Sequence, residues 1–215
     1  KIISTLPFIG LDIEARTKDH ISVEYSPNRP DYSTDYGIVS GLQGLLGIKR
    51  GMPQLKITNG KYAIKVDSSV RKIRPFITGI VAKNGKLDNE TIRQIIAMQE
   101  DLHDGIGRKR KKTSIGIHDL DKISFPLTYT TVGRNHKFVP LASSHETTLK
   151  EIIEKTDVGQ KYANILGNST RVPIILDSAG NTISFPPITN SALTTISEKT
   201  KNLLVEVTAI NKSAA

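Results

Sequence analysis

The sequence contains no cysteine and no tryptophan among its 215 residues. The absence of cysteine excludes disulfides, thiolate-bound metals and a thiol nucleophile. Aromatic residues make up only 5% of the chain, so the stacking side chains that hold single-stranded nucleic acid are scarce. No apolar run approaches the roughly 20 residues of a membrane span. We therefore expect a cytoplasmic protein without a membrane partner and, because the chain begins at Lys1 and not at methionine, a fragment of a longer protein.

Several sequence motifs of nucleotide-binding and hydrolytic proteins are also missing. Neither G-x-G-x-x-G nor G-x-x-x-x-G-K-[ST] occurs, and there is no G-x-S-x-G elbow. A metal site would need His118 together with Asp119, Asp121 or Glu206, because no H-x-x-x-H pair exists. That spacing is not diagnostic of a metal. We expect no metal and no other cofactor in this chain.

The net charge of +9 is the main compositional signal. Such a balance serves solubility in some proteins and a polyanionic partner, above all nucleic acid, in others. The charge by itself supports both interpretations equally.

Hydrophobic periodicity predicts a mixed fold. A helix capped by Ser33 is expected over 34–46, with Ile38, Leu42, Leu45 and Leu46 as its apolar stripe, and a second helix follows Asp88. Strands are expected over 113–118, 127–132 and 203–207, and a hairpin joins 172–176 to 182–185. Strands outnumber helices and do not alternate with them strictly, which favours an α+β fold. A domain boundary is predicted near residue 73.

Five consecutive basic residues, Arg108 to Lys112, precede one of these strands. In an extended segment Arg108, Arg110 and Lys112 would share one face, and an anionic partner would relieve their repulsion. The plain alternative is a solvated surface stretch, which is the usual role of a charge run.

Two further groups of polar residues are candidates for chemistry. His118 and Asp119 lie at the end of a predicted strand, where they form either a turn or a cluster that orients a water. Glu206 lies inside an apolar strand, where a carboxylate is costly unless it is paired or exposed. It is therefore either a site residue or an edge-strand residue that faces solvent.

Several segments resemble one known family. PNRPD, starting at Pro27, and the glycine-bearing helix to Gly47 resemble the N-terminal part of the phenylalanyl-tRNA synthetase β subunit. MQEDLHDGIGRKRKKTSIGIHDLD, starting at Met98, is similar to the archaeal/eukaryotic branch of that family, as are FVPL, IILDSAGNTISFPPI and LLVEVT. These segments follow the family's order and cover nearly the whole chain.

The resemblance implies a fold and an activity. Residues 74–215 would form a layered β/β/α editing domain of the B3/B4 type, and residues 1–73 would be part of the preceding B1 region. In this family the module hydrolyses mischarged tyrosyl-tRNA(Phe) with a positioned water, without a metal or a covalent nucleophile. The implied partners are the acceptor end of tRNA(Phe), the α subunit and the rest of the β subunit in an α2β2 enzyme. ATP and magnesium would be used only at the aminoacylation site of the α subunit.

The resemblance also implies roles for single residues. The expected catalytic residues are His118, Asp119 and Glu206, and the expected tRNA contacts are Arg108, Lys109 and Arg110. Substrate contacts are expected from Gln99, Thr113, Pro186, Pro187 and Asn190. Many relatives have N-G where this chain has Asn190-Ser191, a departure that bears on the geometry of that loop.

Two alternatives to the editing activity stay open. The chain would be a non-catalytic module for tRNA docking or subunit contact, or a free-standing relative that acts on another aminoacyl ester.

Overall fold

Most of the chain folds around two packed β-sheets. The computed structural model describes residues 2–52 and 54–215; Lys1 and Pro53, both in the predicted N-terminal region, lie outside this description. Within it the strands are β1 Leu11–Arg16, β2 Ile21–Tyr25, β3 Ile64–Val66, β4 Phe76–Ala82, β5 Thr113–Asp119, β6 Leu127–Gly133, β7 Lys137–Phe138, β8 Thr147–Thr148, β9 Arg171–Leu176, β10 Thr182–Phe185, β11 Thr189–Asn190 and β12 Leu203–Ala209. The α-helices are α1 Asp35–Leu45, α2 Asn89–Asp104, α3 Leu149–Lys155 and α4 Asp157–Leu166.

The larger sheet has the order β11-β10-β9-β6-β3 and is covered on both faces. Val172 and Ile174 of β9 pack against α3 and α4, whereas Ile175 faces the smaller sheet, because successive strand residues point to opposite faces. The smaller sheet has the order β4-β12-β5 and contributes Leu204 to the shared core. This arrangement of sheet, sheet and helices confirms the predicted α+β, β/β/α fold.

The N-terminal part has a small core of its own. The antiparallel pair of β1 and β2 packs on α1, and Leu6, Leu11 and Tyr32 are its buried residues. This part is attached to α2 by the Tyr25 hydroxyl, which donates to Asp101 at 2.5 Å.

The packing of the chain changes before the predicted boundary at residue 73. β3 lies before that boundary, but it pairs in parallel with β6 of the larger sheet. Val70 is fully buried in the core between the two sheets. By packing, residues 64–72 therefore belong with the larger part, while a functional division at 73 stays a prediction.

Two details of the first helix differ from the prediction. Its N-terminus is capped by the Thr34 side chain, which accepts from the backbone N–H of Gly37, and Ser33 instead donates to the carbonyl of Pro30. Ile38 and Leu42 pack on the N-terminal core as expected, but Leu45 and Leu46 at the helix end are exposed. The helix ends at Leu45, so the stripe turns away from the core there.

The basic run is a turn and not a strand, so the predicted shared face does not exist. Arg108, Lys109 and Arg110 have positive φ angles of 50°, 52° and 62°. The turn is held by backbone hydrogen bonds from Arg110 N–H to His103 O and from Lys112 N–H to Gly107 O. These local bonds satisfy the amides that a strand would have offered to a neighbour.

Candidate functional site

A cavity of about 380 Å³ opens between the two sheets at the free edge of β5. This volume lies within the range of small-molecule sites. Ser114 and Glu206 line it from the smaller sheet, and Ser184 and Asn190 from the larger one. Helix α2 and the segment 186–188 close its sides. The cavity therefore combines apolar walls with a few polar groups.

Side chains satisfy the free edge of β5 along this cavity. Gln99 Nε2 donates to the carbonyl of Ile115 at 2.7 Å, and the backbone N–H of Ile115 donates to His103 Nε2 at 2.8 Å. Asn190 Nδ2 donates to the carbonyl of Ile117 at 3.4 Å. The edge is thus unavailable to another strand, and two of the predicted substrate contacts, Gln99 and Asn190, are fixed in place.

The bond from Ile115 determines the tautomer of the buried His103. Because its Nε2 accepts, the proton is on Nδ1, which donates to Glu100 Oε1 at 3.1 Å. Arg110 Nη2 donates to the same oxygen at 2.7 Å. The hydrogen bond from His103, and then the charge of Arg110, lower the pKa of Glu100 from 4.5 to about 2.

Arg110 also holds the segment that closes the cavity. Its Nη1 donates to the carbonyls of Pro187 and Ile188 at 3.2 and 3.0 Å. Its guanidinium carbon lies 4.4 Å from the centre of the Tyr162 ring. Arg110 therefore has internal partners on three sides and joins α2 to the segment around Pro187, whereas the sequence suggested a contact with tRNA.

Glu206 and His118 form a buried polar pair, of which Glu206 lines the cavity. Glu206 lies in the central strand β12 and is 2% exposed, so the alternative of a solvent-facing edge residue is wrong. Oε1 of Glu206 lies 3.8 Å from Nε2 of the fully buried His118. Within residues 2–52 and 54–215, neither His118 Nε2 nor Glu206 Oε2 has a hydrogen-bond partner. Unpaired buried polar atoms are uncommon and often mark a site.

Glycine makes the room for this pair. Glu206 is paired with Gly116 of β5 and with Gly79 of β4. A Cβ atom on Gly116 would lie 2.3 Å from Glu206 Oε1 and 2.6 Å from His118 Nε2. The two side chains therefore occupy the volume that any other residue at 116 would fill.

The other predicted residues have different positions. His118 is behind the wall and reaches the cavity through Thr194, whose Oγ1 lies 2.8 Å from His118 Nδ1. Asp119 accepts from the backbone of Asp121 and from the Thr200 hydroxyl, as the turn interpretation predicts. Thr113 donates to the carbonyl of Thr208.

Pro186 and Pro187 line the cavity, whereas Arg108 and Lys109 are exposed on the turn beside it. Sequence reasoning did not select Glu100, His103, Ser114 or Thr194. Only Glu100 and His103 had a usable signal, because they lie one helical turn apart beside Gln99.

The described part of the chain holds no group of three or more His, Cys, Asp or Glu residues placed to bind a metal ion. It also holds no helix with the length and apolar character needed to cross a bilayer.

A comparison with known protein families identifies the family of this fold. The family model of the B3/4 domain matches residues 60–215. The chain belongs to the B3/4 domain family. The match begins close to β3, in agreement with the packing of that strand on the larger sheet.

Relatives and a solved structure agree with this assignment. The chain is 43% identical over 212 residues to the phenylalanine–tRNA ligase beta subunit of Archaeoglobus fulgidus and 41% identical over 215 residues to that of Methanosphaera stadtmanae. A crystal structure of an N-terminal fragment of the phenylalanyl-tRNA synthetase beta subunit from Pyrococcus horikoshii matches 99% of this chain and 63% of that one, with a TM-score of 0.92 and 29% identity. These findings confirm the resemblance. The chain spans 39% and 38% of the lengths of the two curated relatives.

Proposed function

We propose that this chain hydrolyses the ester of mischarged tyrosyl-tRNA(Phe). The observation that carries the proposal is that the buried carboxylate of Glu206, which has an unpaired oxygen, lines the cavity. A tRNA is too large to enter such a cavity, so the ester would stay near the mouth and only the amino-acid side chain would reach Glu206. A phenol hydroxyl would then donate to this carboxylate. Phenylalanine has no such donor and would leave the carboxylate unpaired, which costs roughly 1–3 kcal/mol.

The physical need for such a site is clear. A pocket built for phenylalanine cannot strongly reject a residue that only adds a hydroxyl, and discrimination of about 10²-fold is typical. A second site that binds the hydroxyl reverses the preference and removes the wrong product.

The buried position of Glu206 favours substrate recognition over the water-orienting role suggested by the sequence. In the proposed reaction a water oxygen attacks the ester carbonyl carbon, and the bond from that carbon to the ribose oxygen breaks. The products are tyrosine and a tRNA with a free terminal hydroxyl, and a ribose hydroxyl assists the proton transfer. His118 acts through Thr194: when its Nδ1 accepts from Thr194 Oγ1, Nε2 carries the proton and faces Glu206.

The partners are part of the same proposal. They are the acceptor end of tRNA(Phe), approached beside the exposed turn of Arg108 and Lys109, and the α subunit and remaining β subunit of an α2β2 enzyme in the cytoplasm. This chain would need no cofactor, and ATP and magnesium would serve only the aminoacylation site of the α subunit.

The test compares deacylation of tyrosyl-tRNA(Phe) and phenylalanyl-tRNA(Phe) by the chain under single-turnover conditions. We expect faster loss of the tyrosyl ester and expect Glu206→Gln to reduce that preference. Glu154→Gln is the matched control, because Glu154 is exposed on α3 and away from the cavity. Equal rates for the two esters would contradict the proposal. Salt-sensitive tRNA binding without any hydrolysis would favour the non-catalytic docking module instead.

A further inference from the structure

A line of polar groups runs from the interior between the sheets to the cavity wall. Arg74 Nε donates to Thr208 Oγ1 at 2.8 Å, and Thr208 Oγ1 lies 2.9 Å from Ser114 Oγ. Ser114 lines the cavity. Resting on the proposed function, we infer that Ser114 is a specificity-determining residue whose hydroxyl donates a hydrogen bond to the phenol oxygen of the substrate. Arg74 and Thr208 are the positioning residues that orient this donor.

The direction of the hydrogen bonds follows from the chemistry of arginine. A guanidinium only donates, so Thr208 Oγ1 must accept from Arg74. If Thr208 then donates to Ser114 Oγ, every proton in the line has an acceptor except the hydroxyl proton of Ser114. That proton is free to form a hydrogen bond with a group in the cavity. If Ser114 donated to Thr208 instead, the Thr208 proton would itself need another acceptor in a buried site, which is costly.

The charge of Arg74 makes this direction of the hydrogen bonds more favourable. Arg74 is 1% exposed, and no carboxylate in the described part of the chain lies within ion-pair distance of it. Its Nη2 donates to the carbonyl of Thr208 at 2.8 Å, which fixes the guanidinium beside that strand. A charged donor polarises the hydroxyl that accepts from it, and the effect is passed along the chain of hydrogen bonds. Ser114 therefore presents a stronger donor than an isolated serine would.

Ser114 and Glu206 together match a phenol. They lie on the same face of the smaller sheet, since Ser114 is paired with Thr208 and Gly116 with Glu206. A phenol hydroxyl donates and accepts, so it would satisfy the carboxylate with its proton and the serine with its oxygen. A phenylalanyl side chain would leave both groups unpaired, and the two residues would contribute to discrimination separately.

The test measures binding and not turnover. The probes are adenosines that carry a tyrosyl or a phenylalanyl group through a 3′-amide, which resists hydrolysis, and their Kd values for the chain are measured by calorimetry. Ser114→Ala is expected to raise the Kd of the tyrosyl probe about three- to tenfold and to leave that of the phenylalanyl probe unchanged or lower, because the phenylalanyl group no longer covers an unpaired hydroxyl. Thr208→Val should also raise the Kd of the tyrosyl probe. The double variant should lose no more affinity for this probe than Ser114→Ala alone, because both changes interrupt the same line of hydrogen bonds.

Thr131→Val is the matched control. Thr131 is also a buried strand threonine whose Oγ1 accepts from an arginine Nε, that of Arg171, but it lies away from the cavity. It should leave both Kd values unchanged. If the wild type prefers the tyrosyl probe and Ser114→Ala keeps that preference undiminished, the role of Ser114 is wrong and the proposed function stands. If the wild type does not prefer the tyrosyl probe, the proposed function fails and the inference fails with it.

Discussion

Nε2 of His118 lies 3.8 Å from Oε1 of Glu206, on strands that are neighbours in one sheet. The two side chains approach each other over Gly116, the residue between them on that face. The sequence distance from 118 to 206 gives no hint of this approach. The pairing of β5 with β12 produces it, and the absence of a side chain at 116 permits it.

Substitution of this glycine tests the arrangement. In Gly116→Ala the new methyl group would displace Glu206 and His118, which we expect to abolish the preference for tyrosyl-tRNA(Phe) and to lower the free energy of unfolding by about 1–3 kcal/mol. Deacylation rates and urea unfolding measure the two effects. Gly133→Ala in β6 is the control, because a Cβ atom there has no neighbour within 4 Å. A fully selective Gly116→Ala variant would contradict the importance of this pair.

The link between Arg110 and the segment around Pro187 predicts a local change in Arg110→Lys. A lysine cannot reproduce the bonds to Pro187, Ile188 and Glu100 together, because its ammonium is a single point charge. We expect the free energy of unfolding to fall by about 1–3 kcal/mol. Amide hydrogen exchange should become faster around Pro187, whereas exchange in β9 should stay as slow as in the wild type. Unchanged exchange in that segment would show that other contacts hold it closed.

The lowered pKa of Glu100 predicts that the stability of the fold depends on pH in the acid range. Its pKa is about 2 in the fold against an ordinary 4.5, so the folded state binds this proton less readily than the unfolded state. The resulting stabilisation is complete above pH 4.5 and is lost as the pH falls towards 2. Wild type should therefore lose more stability than Glu100→Gln over this range in urea titrations. Glu154→Gln is the control and should follow the wild type; parallel curves for Glu100→Gln and wild type would count against the contact with His103.

Local patterns in the sequence predicted most elements, but not the contacts of the site. Alternation identified the strands of 113–118 and 203–207, and the cap at Asp88 identified the start of α2, because these signals are local. The basic turn was missed, since three successive positive φ angles are rare outside glycine and depend on bonds back to α2. Ser114 was missed because its role depends on Thr208, which only sheet pairing brings near it.

The Tyr25–Asp101 contact predicts behaviour at the other end of the pH scale. Burial and then Asp101 raise the pKa of Tyr25 from 10.0 to about 12. The folded state retains the proton more strongly, so this stabilisation is complete below pH 10 and is lost as the pH rises towards 12. Tyr25→Phe should abolish this loss of stability between pH 10 and 12. It should also make the N-terminal part more sensitive to limited proteolysis at neutral pH. Tyr36→Phe is the control, because Tyr36 is exposed on α1.

Arg108 and Lys109 give the clearest prediction about tRNA. They are exposed on the turn beside the cavity, whereas Arg110 is held by internal partners. If both contact phosphates, replacing them by alanine should lower the slope of log K against log salt concentration by about 1 to 2, because each contact releases condensed counterions. Binding titrations of tRNA(Phe) at several salt concentrations measure this slope. Lys150→Ala on α3 is the control for an exposed lysine away from the turn, and an unchanged slope in the double variant would mean that the turn is only a solvated surface.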